Sequence, residues 1–279
     1  MATALAYFVL DEGFVLAADG LNTLVSGKDR RESSRKVQKI FPIGNQGSQV
    51  VACSFMGRIS LYKNVYDDLP AFDFTSAFVQ AANEIPPESL QGASDLLSRA
   101  CPVLQRRLKY LKQTGGIAKY PGRRNMMNPQ HHRIVTINID GYFLGHPDRA
   151  GVEFYHVDQE VKWDTNSHTL NRPKREWTVL HGSQLVSNLL FNTDDARLAQ
   201  YRTESCNKVA AAFNDPRIEI TMKDAINAGR NFIQACSSKI ARDEIDPENC
   251  RGIGGEPQIA IIAKEGFQWV TRPDHFDPL

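Results

Sequence analysis

Apolar positions open the chain in two short blocks. Thr3 to Leu10 and Phe14 to Asp19 flank the polar turn Asp11-Glu12-Gly13, which predicts a tight β-hairpin. Both blocks are apolar at odd and even positions alike, so both faces of that hairpin are expected to be covered. A polar, basic stretch from Gly20 to Lys36 follows. KIFPI and QVVACSF then predict a second hairpin around Gly44-Asn45-Gln46-Gly47. From there the period changes. Ile59, Leu61, Tyr62, Val65 and Leu69 fit a helix, as do Phe74, Phe78 and Ala81. A longer helix is expected from near Glu88, after Pro86-Pro87, to Gly115-Gly116, with Pro102 as a kink.

The segment IAKYPGRRNMMNPQHH has no usable period and reads as an exposed insertion. Strands resume in RIVTINIDGYFLG, GVEFYHVD and EWTVLHGS. Leu185 to about Phe213 is expected to be helical with breaks. A further helix is expected over Met222 to about Asp243, capped by Thr221, and PQIAIIAKEGFQWV closes the chain as a hairpin. Two hairpins, helices, a strand group, helices and a last hairpin do not make βαβ alternation or a repeat array. They suit two sheets packed face to face with helices outside.

Composition adds mostly exclusions. The chain has 279 residues and 42% hydrophobic content, and it reads as one globular domain spanning 1–279. A net charge of +1 gives no global pull toward nucleic acid or membrane. Five scattered cysteines without a C-x-x-C pair argue for a reducing compartment and against a disulfide framework or zinc site. No apolar run spans a bilayer and no secretory signal opens the chain, so the expected address is the cytoplasm. The adjacent His131 and His132 cannot share a helix face as zinc ligands and read as a solvated loop. KDRRESSRK likewise reads as a solvated loop. GIGG lacks the strand-before, helix-after setting of a dinucleotide loop.

The first hairpin also carries a family resemblance. TALAYFVLDEGFVLAAD resembles, without a gap, the opening of proteasome β subunits and their bacterial relatives among the N-terminal nucleophile hydrolases. The resemblance implies an α+β fold, a four-layer αββα sandwich, with added segments near 113–131 and 156–177. It implies Thr3 as nucleophile, Asp19 at the end of the second strand, Lys39 of KVQKI as the active-site lysine, and Ser183 of VLHGSQ at a strand-to-helix turn. It places the oxyanion donors around Ser54 to Gly57. An N-terminal threonine acts as nucleophile through its hydroxyl and as base through its own amine, whose ordinary pKa is about 7.7–8, so Met1 and Ala2 must first be removed. A nearby lysine favours the ionised hydroxyl, and Asp19 would orient that lysine.

The expected activity is hydrolysis of peptide or other amide bonds, without a cofactor or metal, in a homo-oligomer that forms a ring. Near the C-terminal end the chain has Cys250 and Ile253 where active relatives carry Asp and Ser. That departure keeps two alternatives open: a catalytically inactive subunit or scaffold, and a small-molecule amidohydrolase on the same fold. Each residue also has an ordinary reading. Thr3 fits a plain strand former, Lys39 a solvated flank, Asp19 a turn residue and Ser183 a helix cap.

Overall fold

A computed structural model of the chain describes residues 3–26, 31–43, 49–63, 69–117, 123–124, 132–158, 160–166, 178–215 and 217–273. The predicted turn Gly44-Asn45-Gln46-Gly47, His131 and most of 118–131 and 167–177 lie outside them. The chain divides into two compact units, one of Met1–Ile40 with Asn171–Pro278, the other built on Phe41–Leu170. Both combine helices with antiparallel sheet, as the mixed α and β pattern of the sequence implied. Among the described residues, no helix is long and apolar enough to cross a membrane.

The first unit opens with β1 (Leu5–Leu10) and β2 (Gly13–Ala18), paired from Leu5↔Ala18 to Leu10↔Gly13. Every residue of both strands is buried, as the two-sided apolar pattern requires. The polar stretch that follows is not simply a loop: β3 (Leu21–Ser26) and β4 (Arg31–Lys36) pair antiparallel. Strand pairing satisfies backbone groups whatever the side chains, and LNTLVS and RESSRK carry no regular hydrophobic alternation to betray the hairpin.

The second unit takes in most of β5 (Ile40–Ile43), then β6 (Val50–Gly57), β7 (Ser60–Leu61) and β8 (Phe72–Asp73). The helix expected from Ile59 is absent over 59–63. Ser60 and Leu61 instead pair with Asp73 and Phe72, and Ser60 Oγ donates to Asp73. Asp73 also caps α1 (Phe74–Asn83) by accepting from Ser76 N. The long helix α2 (Ala93–Gln113) carries Pro102 as expected but starts five residues after Glu88, because Pro87–Ser89 form a separate 3-10 turn. Next come β9 (Arg123–Arg124), β10 (His132–Phe143), β11 (His146–Val157) and β12 (Glu160–Asn166), and the sheet runs β12-β11-β10-β6-β5. His132 is a strand residue and not part of a loop; its ring stacks on His156 with centroids 4.9 Å apart. Phe55, Phe74, Phe78, Phe154, Leu96, Leu104 and Leu108 are completely buried core residues, with Phe55 edge-on to Phe78.

The chain re-enters the first unit at β13 (Thr178–His181), α3 (Gln184–Phe191), α4 (Glu204–Asn214) and α5 (Met222–Ser237), with a 3-10 turn over Ala196–Tyr201. Thr221 caps α5 in a reciprocal box with Asp224. The helix stops at Ser237, short of Asp243, and a widened turn over Ala241–Ile245 leads into α6 (Pro247–Cys250). β14 (Gln258–Ala263) and β15 (Gly266–Thr271) complete the sheet β13-β1-β2-β14-β15. The helices of this unit pack on one sheet face through Ala6, Phe8, Ala17, Ile259, Val186, Leu190, Phe232 and Ile233.

Candidate functional site

The β1–β2 ladder extends one step past its regular strands. Asp19 N donates to Ala4 O at 3.1 Å, and Ala4 N returns a hydrogen bond to Asp19 Oδ1 at 2.9 Å. A side-chain carboxylate therefore occupies the place of a backbone carbonyl and holds the amide of the residue after Thr3. Thr3 itself is buried, and its Oγ1 has no hydrogen-bond partner among the described residues. A buried hydroxyl left unpaired costs about 1–3 kcal/mol, so such a group calls for an explanation.

Lys39 reaches the same carboxylate. Its Nζ lies 2.7 Å from Asp19 Oδ1, with the side chains only 2% and 0% exposed. Burial pushes the Asp19 carboxyl up and pulls the Lys39 ammonium down, each opposed by the partner's charge. The other Asp19 oxygen takes longer contacts, 3.4 Å each, from Leu21 N and Gly254 N. Gly254 belongs to the double glycine before β14. Gly255 has φ +75, and a Cβ there would lie 2.9 Å from the Gly20 carbonyl carbon, so only glycine allows this close approach to the residue after Asp19.

Ser183 enters from β13. His181 pairs with Leu5, which brings Gly182 beside Ala4: a Cβ on Gly182 would lie 3.3 Å from Ala4 Cα and 3.5 Å from Thr3 O. Ser183 caps α3 by accepting from Val186 N at 3.0 Å and donates its own hydroxyl to Asp246 Oδ2 at 2.6 Å. Asn249 holds Asp246 through Nδ2, at 3.1 and 3.0 Å from its two oxygens. Two buried thiols adjoin this cap. Hydrogen bonding with Cys236, and then with Ser183, draws the Cys250 thiol below its ordinary value; burial drives Cys236 well above it.

Thr3, Asp19, Lys39 and Ser183 all lie in the first unit. Asp19 joins Lys39 to the strand that begins beside Thr3, and Gly182 brings Ser183 to that strand. Ser54 to Gly57 lie in the second unit, closing β6 in ladder register with β10. The sequence reading missed Asp246. It sought an acid at position 250 and found Cys250, whereas the acid bonded to Ser183 stands four residues earlier, at the head of α6. The available signal was Asp246-Pro247, an N-cap residue followed by proline. Ile253 is fully buried in the apolar core. Chemically, a lysine ammonium fixed on a buried carboxylate can favour, by its charge, the ionised form of a hydroxyl within its reach.

No family model and no curated protein matches the chain. Among solved structures it is similar to a Gly-1 mutant of Anbu from Hyphomicrobium sp. strain MC1, at 14% identity over 96% of this chain and 85% of that one, TM-score 0.44. A helical assembly of the Anbu complex from Pseudomonas aeruginosa matches at 12% identity, 98% and 88% coverage and TM-score 0.45. Anbu, an ancestral β-subunit, from Yersinia bercovieri matches at 11% identity, 96% and 87% coverage and TM-score 0.45. These findings correct the family reading of the first hairpin: the similar structures are Anbu proteins, distinct from proteasome β subunits, and no family model supports that assignment. Likeness at this level assigns neither a family nor an activity.

Proposed function

We propose that this chain hydrolyses amide bonds with Thr3 as nucleophile, after Met1 and Ala2 have been removed. One observation carries the reading: Lys39 Nζ and the Ala4 amide share Asp19 Oδ1 in a buried arrangement, and the residue before Ala4 is Thr3, whose hydroxyl has no partner among the described residues. In the proposed reaction the freed α-amine of Thr3 takes the hydroxyl proton, and Oγ1 attacks the substrate carbonyl. The amine then returns that proton to the departing nitrogen, leaving an ester on Thr3. Water, activated by the same amine, hydrolyses the ester and restores the hydroxyl. Lys39 favours the ionised hydroxyl by its charge, Asp19 fixes Lys39, and Ser183 with Asp246 shapes the turn against Thr3 and Ala4. Peptide substrates and self-association belong to the same proposal.

Intact mass of the native protein combined with an acylating β-lactone tests this reading. A chain starting at Thr3, labelled on its first residue and unlabelled in Thr3→Ala, is the expected result. Labelling that persists in Thr3→Ala, or a hydrolytically active sample whose chains all begin at Met1 or Ala2, overturns it. The non-catalytic reading draws on Ile253, an apolar core residue where a polar support was expected; a native chain that is never trimmed and never labelled favours it.

A further inference from the structure

Lys39 sits in a stretch, residues 37–39, between the end of β4 and the start of β5. Such a stretch needs other partners to hold a catalytic geometry. Part of the anchorage is backbone: Val37 N donates to Gly20 O at 3.0 Å. A second anchor is one side chain on a neighbouring strand. Gln258, 1% exposed, accepts the Lys39 amide hydrogen at Oε1 over 2.8 Å and donates from Nε2 to Val37 O. Its own backbone pairs with Ala18, the residue before Asp19. Gly20, which holds Val37 N, is itself packed against the approach to this strand: a Cβ there would lie 2.7 Å from Glu256 O.

We infer that Gln258 is a positioning residue for Lys39, its side-chain amide bridging Val37 and Lys39 as a strand would and so fixing the ammonium on Asp19. The inference rests on the proposed role of Lys39 beside Thr3. Both bonds are needed at once: Lys39 N–H requires an acceptor and Val37 C=O requires a donor, and a primary amide is the side chain that offers both at this span. Leucine offers neither. A carboxyl offers both only while protonated, as C=O and O–H; once ionised it can only accept.

Gln258→Leu and Gln258→Glu are compared with the parent protein, reading Thr3-dependent hydrolysis across pH and, separately, the titration of Lys39 by NMR of 13C-labelled lysine. The double Asp19→Asn, Lys39→Met variant identifies the Lys39 signal. Gln258→Leu is expected to lower kcat about 10–100-fold with KM within about 3-fold, and to move the Lys39 midpoint by about half a pH unit or more. Relative to the parent at the same pH, Gln258→Glu should fare best at low pH and lose kcat as pH rises through an ionisation absent from both other proteins. Burial raises that midpoint above the ordinary carboxylate value of about 4.3. An unchanged Lys39 titration in folded Gln258→Leu overturns the inference. If that variant does not fold, a Gln258→Glu profile without the added ionisation overturns it. A parent protein with no Thr3-dependent activity, in which Gln258→Leu still moves the Lys39 titration, keeps the positioning role and removes the hydrolase reading.

Discussion

Removing the Lys39 ammonium tests the buried pair at the centre of the site. In Lys39→Met, Asp19 keeps the Ala4 amide at 2.9 Å and two contacts at 3.4 Å, but loses the cation at 2.7 Å. Breaking a buried pair in this way costs about 3–5 kcal/mol. Protonation of the stranded carboxyl sets a ceiling on the cost. From an ordinary pKa of 3.8, neutralising Asp19 costs about 4 kcal/mol at pH 7 and about 1.6 kcal/mol at pH 5. The sign is fixed by linkage: a folded-state carboxyl raised above 3.8 stabilises the fold below that value and loses the contribution as pH rises through its folded pKa. Burial already raises Asp19 in the parent against the opposing Lys39 charge; without that charge the carboxyl is raised further, so the deficit of Lys39→Met should grow with pH between the two folded-state values, by at most about 1.4 kcal/mol per pH unit. Urea unfolding at pH 5, 6 and 7 reads it. The double Asp19→Asn, Lys39→Met variant removes both charges while leaving an oxygen for Ala4 N–H, and should lie within about 1 kcal/mol of the parent or above it. A pH-independent deficit under about 1 kcal/mol, or a double variant as unstable as the sum of the singles, refutes the buried ion pair.

Three further outcomes follow from particular contacts. All five cysteines are free and buried, and burial raises Cys53, Cys101 and Cys236. An aromatic disulfide reagent at pH 8 should therefore titrate about five thiols in the unfolded protein and fewer than about one in the native protein over minutes; two or more fast native thiols contradict that burial. Phe78→Ala removes a fully buried ring edge-on to Phe55 and should cost about 3–5 kcal/mol by urea unfolding, a loss below about 1 kcal/mol placing Phe78 outside the core of the second unit. Gly255→Ala and Gly115→Ala make a matched pair, with φ +75 and +73 but a Cβ blocked at 2.9 Å in the first and in open space in the second. The first should lose at least about 1 kcal/mol more than the second, and equal losses exclude close packing of Gly255 on Gly20.

What was legible in the sequence follows from which forces leave a pattern. β1 and β2 were readable because both faces are buried and a polar turn divides them, and α1 because Phe74, Phe78 and Ala81 keep one helical stripe. β12 was passed over inside a stretch treated as an added segment, although Val161 and Trp163 alternate with exposed Lys162 and Asp164 in the way a half-covered strand does. The acid on Ser183 was missed for a different reason. Fixed spacing back from the double glycine assumes a constant path, and the widened turn with α6 moves the carboxylate to Asp246. Gln258 left no trace at all, because a buried glutamine bridging two backbone groups more than two hundred residues away depends on tertiary placement alone.

The bonds that place Thr3 bear on how its amine could be freed. The described ones begin at Ala4: its amide is held by Asp19 Oδ1, its carbonyl by Asp19 N, and Leu5 pairs with both Ala18 and His181. All of these lie beyond the Ala2–Thr3 peptide bond, so cutting that bond removes none of them. The Asp19–Lys39 pair likewise lies wholly beyond that bond. Preparing the chain to start at Thr3 should then leave stability within about 1 kcal/mol of the untrimmed protein, since none of the described bonds that hold Ala4, Leu5 and Asp19 is lost. The new α-amine should titrate below about 7.7, because the Lys39 charge opposes a second cation nearby. Paired urea unfolding and an N-terminal labelling profile against pH check both statements. A loss above about 2 kcal/mol would mean that the leader helps hold the site, and an amine titrating above 8 would mean that no cation stands near it.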